Sequence, residues 1–351
     1  MPAADATPAP LPLPLPPQPH PHPHPHPTTN HLLGHPPDAR LLLLNCDDLG
    51  LDESVNLAVI DAVRNGIAAS CSLMTPCAAA PHALRLLRRH PEVPFGVHLT
   101  LVCESTDRRW GPLTARDRVP SLLDASGGFF APTPAGRADL LAQARLDDIE
   151  REFRAQIDAV AAAGLAPTHL DFHCLADGGR EDVLDLTLAL GAAYGLAVRV
   201  WLPPALARMR EHGLPVVDHG FLDSFTVPLD DKPAHYARLL AALPPGLTEW
   251  ALHPSTAAPR TASTTDPATN PTAGPRTNPT AGPTARPNHP APDDDRRIRH
   301  TDHAFLVSPE ARRLLTEHGI TVLGYRTLQE AWQRARGQHA AEVSWPPGVP
   351  R

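Results

Sequence analysis

The sequence predicts an α/β fold, a closed or nearly closed β/α barrel of about seven strands, and three observations point to it. Strand-like and helix-like segments alternate along the chain, as in a parallel sheet covered by helices. The first strand, Leu41-Leu42-Leu43-Leu44, lacks polar alternation, as a strand buried on both faces should. Acidic and imidazole side chains recur at the C-terminal ends of these strands, the edge at which barrels bind ligands.

The leucine run leads into Asn45-Cys46-Asp47-Asp48-Leu49-Gly50. Asp52 is placed to cap the helix that follows, in which Val55, Ala58, Val59, Ala62 and Val63 recur at helical spacing and which Gly66 closes. With the cap supplied by Asp52, Asp47 and Asp48 are left for chemistry, because adjacent carboxylates repel unless a cation or a proton separates them. Ala68 to Met74 reads as a second strand, and Pro81 to Arg89 as a short helix opened by proline. Phe95 to Leu101 is a third strand with His98 and Thr100 on one face.

Residues 102 to 138 are polar, carry Gly127-Gly128, and form an excursion over one end of the sheet. A helix with Leu146, Ile149, Phe153, Ile157 and Val160 on one stripe ends at Gly164. The strand Thr168 to His173 then presents His169, Asp171 and His173 on one face. Further units are a helix at Asp182 to Tyr194, a strand at Ala197 to Trp201, a helix at Ala234 to Leu243 and a strand at Thr248 to His253. Ser308-Pro309-Glu310 opens a last helix and Ile320 to Leu323 is the final strand. No glycine-rich phosphate loop follows the first strand, which removes the Rossmann reading.

The 44 prolines cluster in two places. Residues 1–38 hold an alternating His-Pro run from His20 to Pro27, and residues 257–292 repeat an Asn-Pro-Thr-Ala-Gly-Pro phrase. Neither offers much to bury, so both are expected to be disordered, leaving one domain at 39–335 interrupted by the insertion and a flexible tail at 336–351. The net charge of -7 argues against a nucleic-acid partner. No apolar run approaches the ~20 residues of a membrane span, and no signal peptide is evident, so a cytoplasmic location is expected. Five cysteines without zinc-ribbon spacing read as buried thiols in a reducing compartment.

Asp47, Asp48, His98, Asp171, His173 and His253 all fall at or near predicted strand ends, which a barrel gathers at one rim. Two histidines and a carboxylate make a divalent-metal site with positions open for water. His169, one residue pair deeper in its strand, reads as structural or as holding a ligand from behind. Asp171 either orients a ligand imidazole or binds substrate.

These residues resemble the YdjC-like carbohydrate deacetylases, which include chitooligosaccharide deacetylases and a hopanoid-biosynthesis-associated group. Asn45-Cys46-Asp47-Asp48-Leu49-Gly50 is similar to the family's Asn-Ala-Asp-Asp-Phe-Gly, and Asn65-Gly66-Ile67 through Ser72-Leu73-Met74 to its next stretch. Gly96-Val97-His98-Leu99-Thr100-Leu101 resembles its Gly-x-His-Leu-Thr-Leu, Thr168-His169-Leu170-Asp171-Phe172-His173 its Thr/Ser-His-x-Asp-x-His, and His253-Pro254 its late His-Pro. The resemblance runs from residue 41 to about 255 and more weakly from Arg296 to Arg326.

It implies a distorted (β/α) barrel of the polysaccharide-deacetylase type, one divalent ion (Mg2+ or Zn2+) on Asp48, His98 and His173, Asp47 as base, and removal of N-acetyl groups from an acetylated amino sugar, oligosaccharide or glycolipid. Family members often continue past the equivalent of His173 with His-x-Val-His, whereas this chain has Cys174-Leu175-Ala176-Asp177, so the substrate is left open. The chemistry is consistent: amide hydrolysis needs an activated water, a Lewis acid and a proton donor, and His253 is the candidate donor. The expected partner is an acetylated sugar, with a homodimer as an open expectation. The competing readings are a metal-dependent amide or lactam hydrolase on a related barrel, and a non-catalytic metal-binding protein, which would have no use for Asp47.

Overall fold

A computed structural model describes residues 28–106, 108–257 and 291–339. The His-Pro run and almost all of the 257–292 insertion lie outside the described residues. In chain order the elements are α1 (Thr29–Leu32), β1 (Arg40–Leu49), α2 (Glu53–Arg64), β2 (Ser70–Leu73), α3 (Ala80–Arg89), β3 (Phe95–Leu99), α4 (Pro134–Gln143), α5 (Leu146–Ala162), β4 (His169–Phe172), α6 (Glu181–Tyr194), β5 (Ala197–Val198), α7 (Pro203–Glu211), β6 (Leu222–Asp223), α8 (Lys232–Ala241), β7 (Gly246–Leu252), α9 (Pro292–Leu306), α10 (Pro309–Glu317), β8 (Ile320–Leu323) and α11 (Tyr325–His339). The Asp52 carboxylate accepts the amide of Val55 at 2.9 Å, and Ser308 Oγ that of Ala311 at 3.0 Å, so both expected caps form.

The strands pair in parallel in the order β5-β4-β3-β2-β1-β7-β6, with β8 beside β1. This is the expected distorted barrel but not the closed or nearly closed one: β5 and β6, two residues each, are not paired to one another, so the sheet curls as a half-barrel. β1 is its centre, and Leu41 to Leu44 are at most 1% exposed. One edge of β1 pairs with β7 from Arg40 to Cys46; the other is shared end to end by β8, along Arg40 to Leu43, and β2, from Asn45 onward. The junction of β8 and β2 needs Gly324, where a Cβ would lie 2.4 Å from the carbonyl oxygen of Ala69.

Several stretches differ from the sequence-based expectation, among them the helices α4, which begins within the expected 102–138 excursion, and α7, which no expected unit covers. α1 falls within the expected tail at 1–38, yet Thr29 and Asn30 are buried. Asn30 Nδ2 donates to the carbonyls of Pro36, Pro37 and Ala39, which folds this segment back on itself before β1 begins. α11 extends through His339, beyond the expected boundary at 335. β6 is too short to show alternation, and α9 turns Asp295, Arg299 and Asp302 inward, so apolar periodicity does not reveal it. None of the five cysteines forms a disulfide. Among the described residues no helix is long and apolar enough to cross a membrane.

Candidate active site

In a regular strand Asp47 and Asp48 would point to opposite faces. Here the register of β1 against β2 shifts between Cys46 and Leu49, and Asp48 adopts a left-handed backbone with φ 68°. This bulge turns both carboxylates into the same buried space. Aspartate tolerates that conformation better than most residues. Gly50, two residues on, has φ 100°, and a Cβ there would sit 2.8 Å from the carbonyl oxygen of Met74.

Three side-chain atoms converge beyond the bulge. Asp48 Oδ1 lies 3.3 Å from His173 Nδ1 and 3.5 Å from His98 Nε2, with all three atoms within 4.8 Å of one another. Each is buried and makes no hydrogen bond. Three orphaned donors of the types that ligate divalent ions, spaced close to the roughly 3.4 Å expected between ligands on bonds of about 2.1 Å, fit a metal ion.

The His98 imidazole is held from its other nitrogen by a carboxylate, His173 meets Cys174 Sγ at 3.4 Å and faces a second carboxylate without a hydrogen bond to it, and each of these carboxylates is held by an arginine. His98 Nδ1 bonds Asp171 Oδ1 at 2.9 Å, which leaves Nε2 facing Asp48, and Asp171 Oδ2 is 2.9 Å from Arg199. His173 Nε2 lies 3.3 Å from Glu104 Oε2, and the other oxygen of Glu104 accepts from Arg299. Arg299 also donates to Asp48 Oδ2 at 2.9 Å. Burial alone would push the His98 imidazole down, but the carboxylates around it, Asp171 foremost, raise it to about 9. Burial likewise works against an ionised Asp48, yet Arg299 and the two imidazoles hold its carboxyl well below the usual range.

Asp47 is clamped by Arg199 through two bonds of 2.9 Å and accepts from Asn45 Nδ2 at 2.7 Å, with Oδ2 4.0 Å from His98 Nε2. Arg199 further donates to Glu249 on β7 at 2.7 Å, so one guanidinium beside β5 ties across the open side of the half-barrel to β1 and β7. His253 lies just past β7 and is fully buried. Its Nδ1 is 3.0 Å from Ser224 Oγ, whose hydroxyl donates to Asp302 at 2.5 Å, so the network assigns the Nδ1 proton to the bond with Ser224. His169 stacks on Tyr325 with ring centroids 3.6 Å apart and meets Ser72 Oγ at 3.3 Å, beneath Asp171.

Asp47, Asp48, His98, Asp171 and His173 are thus brought into one contiguous polar cluster, with His169 under it and His253 on the β7 side, close enough for its charge to act on Asp48. Sequence reading missed Arg199, Arg299, Glu104, Ser224 and Asp302. Arg199 had a signal, a lone charge in the apolar segment Ala197-Val198-Arg199-Val200-Trp201. So did α9, where Asp295, Arg299 and Asp302 share one helical face. Glu104 comes from the 102–138 excursion, which also sets the Trp110 ring 6.2 Å from that of His173. Beyond Cys174 lies a cavity of about 570 Å³ walled mainly by apolar side chains, with Arg137, Arg180 and Arg208 among its lining.

Residues 41–317 match the family model described as YdjC-like protein. A carbohydrate deacetylase of Geobacillus stearothermophilus is 35% identical over 186 residues, covering 53% of this chain and 68% of that protein. One from Thermoanaerobacter pseudethanolicus is 31% identical over 218 residues, 62% of this chain and 81% of its own length. A chitooligosaccharide deacetylase of Yersinia enterocolitica is 37% identical over 139 residues, 38% of this chain and 49% of that protein. Among solved structures, a putative cellobiose-phosphate cleavage protein of Enterococcus faecalis superposes with a TM-score of 0.60 at 22% identity, over 83% of this chain and 99% of that one, a likeness of fold. With its bulged Asp-Asp strand end, its histidines on β3 and past β4 and a family match spanning most of its length, this chain belongs to the YdjC-like protein family.

Proposed function

We propose that the protein is a metal-dependent hydrolase that removes N-acetyl groups from an acetylated amino sugar or oligosaccharide. The observation that carries this reading is the convergence of three orphaned, buried ligand atoms, on Asp48, His98 and His173, with a second carboxylate, Asp47, beside them. The deacetylase names of the relatives supply the substrate class. Bound at the three atoms, a divalent ion supplies Lewis acidity to a water and to the amide carbonyl. Two imidazoles and a carboxylate suit zinc and tolerate magnesium.

The remaining steps belong to the chain. Arg199 fixes the plane of Asp47, which takes a proton from the attacking water through Oδ2, the oxygen nearer His98. Because Ser224 anchors the Nδ1–H of His253, the ring acts as acid in its imidazolium form, and the proton passed to the departing nitrogen is the second one, on Nε2. Trp110 offers an aromatic face beside His173 for a sugar ring. A cytoplasmic setting and a homodimer belong to the same proposal.

Acetate release from a panel of N-acetylated sugars, with and without chelator, tests the activity. Asp47→Asn tests the role of the base: the variant should keep its metal and its substrate affinity while turnover drops by roughly 10²-fold or more. Near-normal turnover would remove Asp47 as base, and loss of metal would make it a ligand. Absence of acetate release from every sugar by the folded, metal-loaded protein would overturn the deacetylase reading.

A further inference from the structure

We propose that Glu104, His173 and Cys174 form a second cation site, selective for thiophilic divalent ions such as Zn2+ or Cd2+, on the opposite nitrogen of His173 from the Asp48 centre. The carboxylate, the imidazole and the thiol each offer a donor atom, all within 4.8 Å of one another. His173 Nε2 is 3.3 Å from Glu104 Oε2 and 3.4 Å from Cys174 Sγ. These separations match those at the Asp48 centre and suit a shared ion as well as they suit a hydrogen bond.

One further observation points to a ligand. Glu104 Oε2 is aimed into the cluster, on a residue only 2% exposed, and makes no hydrogen bond, while Oε1 is taken by Arg299. Cys174 also has a left-handed backbone, φ 58°. Consecutive side chains of an extended segment diverge, yet this turn brings both His173 and Cys174 to the Glu104 carboxylate. A non-glycine residue in that conformation is strained, and its neighbours hold it there. Access is provided by the 570 Å³ cavity, since Cys174 is part of its wall.

Ligand chemistry separates the two centres. The Asp48 centre holds nitrogen and oxygen donors, whereas the second has a thiolate, which selects zinc or cadmium over magnesium. On ligation the thiol and the Nε2 position of His173 each give up a proton to solvent, and no other bond changes. The proposal does not depend on which amide the protein hydrolyses.

Cadmium added to the full-length protein reads the site directly, because a thiolate–Cd2+ bond has an ultraviolet charge-transfer band that nitrogen and oxygen ligands lack. The His-Pro run contains no sulfur, so cadmium taken up by its histidines would give no band, and the band and not the stoichiometry is measured. The wild-type protein should show the band, Cys174→Ala and Cys174→Ser should lose it, and Cys103→Ala, which removes a buried thiol nearby, should keep it. Glu104→Gln should weaken cadmium binding by about 10-fold or more, and magnesium should produce no band. No band in the wild-type protein, or a band of unchanged size in folded Cys174→Ala or Cys174→Ser, would overturn the proposal.

Discussion

Replacing Arg199 with methionine keeps most of the side chain's volume and removes its charge. The guanidinium makes two bonds of 2.9 Å to Asp47, one of 2.7 Å to Glu249 and an ion pair of 2.9 Å with Asp171, at 4% exposure. Removing one partner from a buried ion pair typically costs about 3–5 kcal/mol, because the charge left behind is uncompensated. Against a domain stability of about 5–15 kcal/mol that is a large share, equivalent to a melting-temperature drop on the order of 10 °C. The loss should depend on pH. Burial already pushes the Glu249 carboxyl up to about 7 against the pull of Arg199, and losing the guanidinium raises it further. A carboxyl raised in the folded state contributes stability that is present below its unfolded pKa and is lost as pH rises through its folded one. The Arg199→Met deficit, measured by urea unfolding, should therefore be larger at pH 8 than at pH 5.5, and Glu249→Gln in the same chain should recover part of it at pH 8. A deficit below about 1 kcal/mol, or one independent of pH, would refute the view that Arg199 holds these carboxylates together.

Asp171→Asn keeps a hydrogen-bonding oxygen near His98 Nδ1 but not its charge, so metal affinity should fall by about 10- to 100-fold with the fold intact, as checked by metal titration. Asp177, which accepts the amides of Trp201 and Leu202 at the start of α7, is pushed by burial to about 6, so its contribution to stability is lost as pH rises from about 4 through 6. Asp177→Asn should flatten that part of the stability curve, by about 3 kcal/mol at most, and an unchanged slope would rule the group out. Deleting residues 1–27 should leave the melting temperature unchanged. Deleting 1–36 should lower it, because the Thr29 hydroxyl bonded to the Val216 carbonyl at 2.6 Å and the Asn30 amide bonds go with it; equal melting temperatures would show that α1 adds nothing.

Much of the fold was legible because its strands are bounded by apolar runs and turn residues, as at Leu41 to Leu44 and Phe95 to Leu99. The ligand candidates were legible because strand ends in parallel sheets carry chemistry. What could not be read was the support around them. Arg199, Arg299 and Glu104 meet His98, His173 and the Asp pair across large sequence separations, and no local spacing encodes such contacts. α9 was missed for a related reason: its buried face serves the site, so it carries charge where a covering helix normally carries leucine. The Asp47-Asp48 bulge was half legible, since two adjacent acids could share one point only if the backbone turned. The turn proved to lie at Asp48 itself as well as at Gly50.

The divided edge of β1 has a consequence for synthesis. Residues 40–43 cannot be paired on both sides until Ile320 to Leu323, close to the far end of the described chain, have been made and have passed through the low-complexity stretch. The most apolar run of the protein therefore leaves the ribosome early and waits longest for its last neighbour, with the slow folding expected of long-range parallel pairing. A nascent chain halted anywhere before residue 320 should present those leucines to chaperones, and the central strand closes only once Ile320 to Leu323 have emerged from the ribosome.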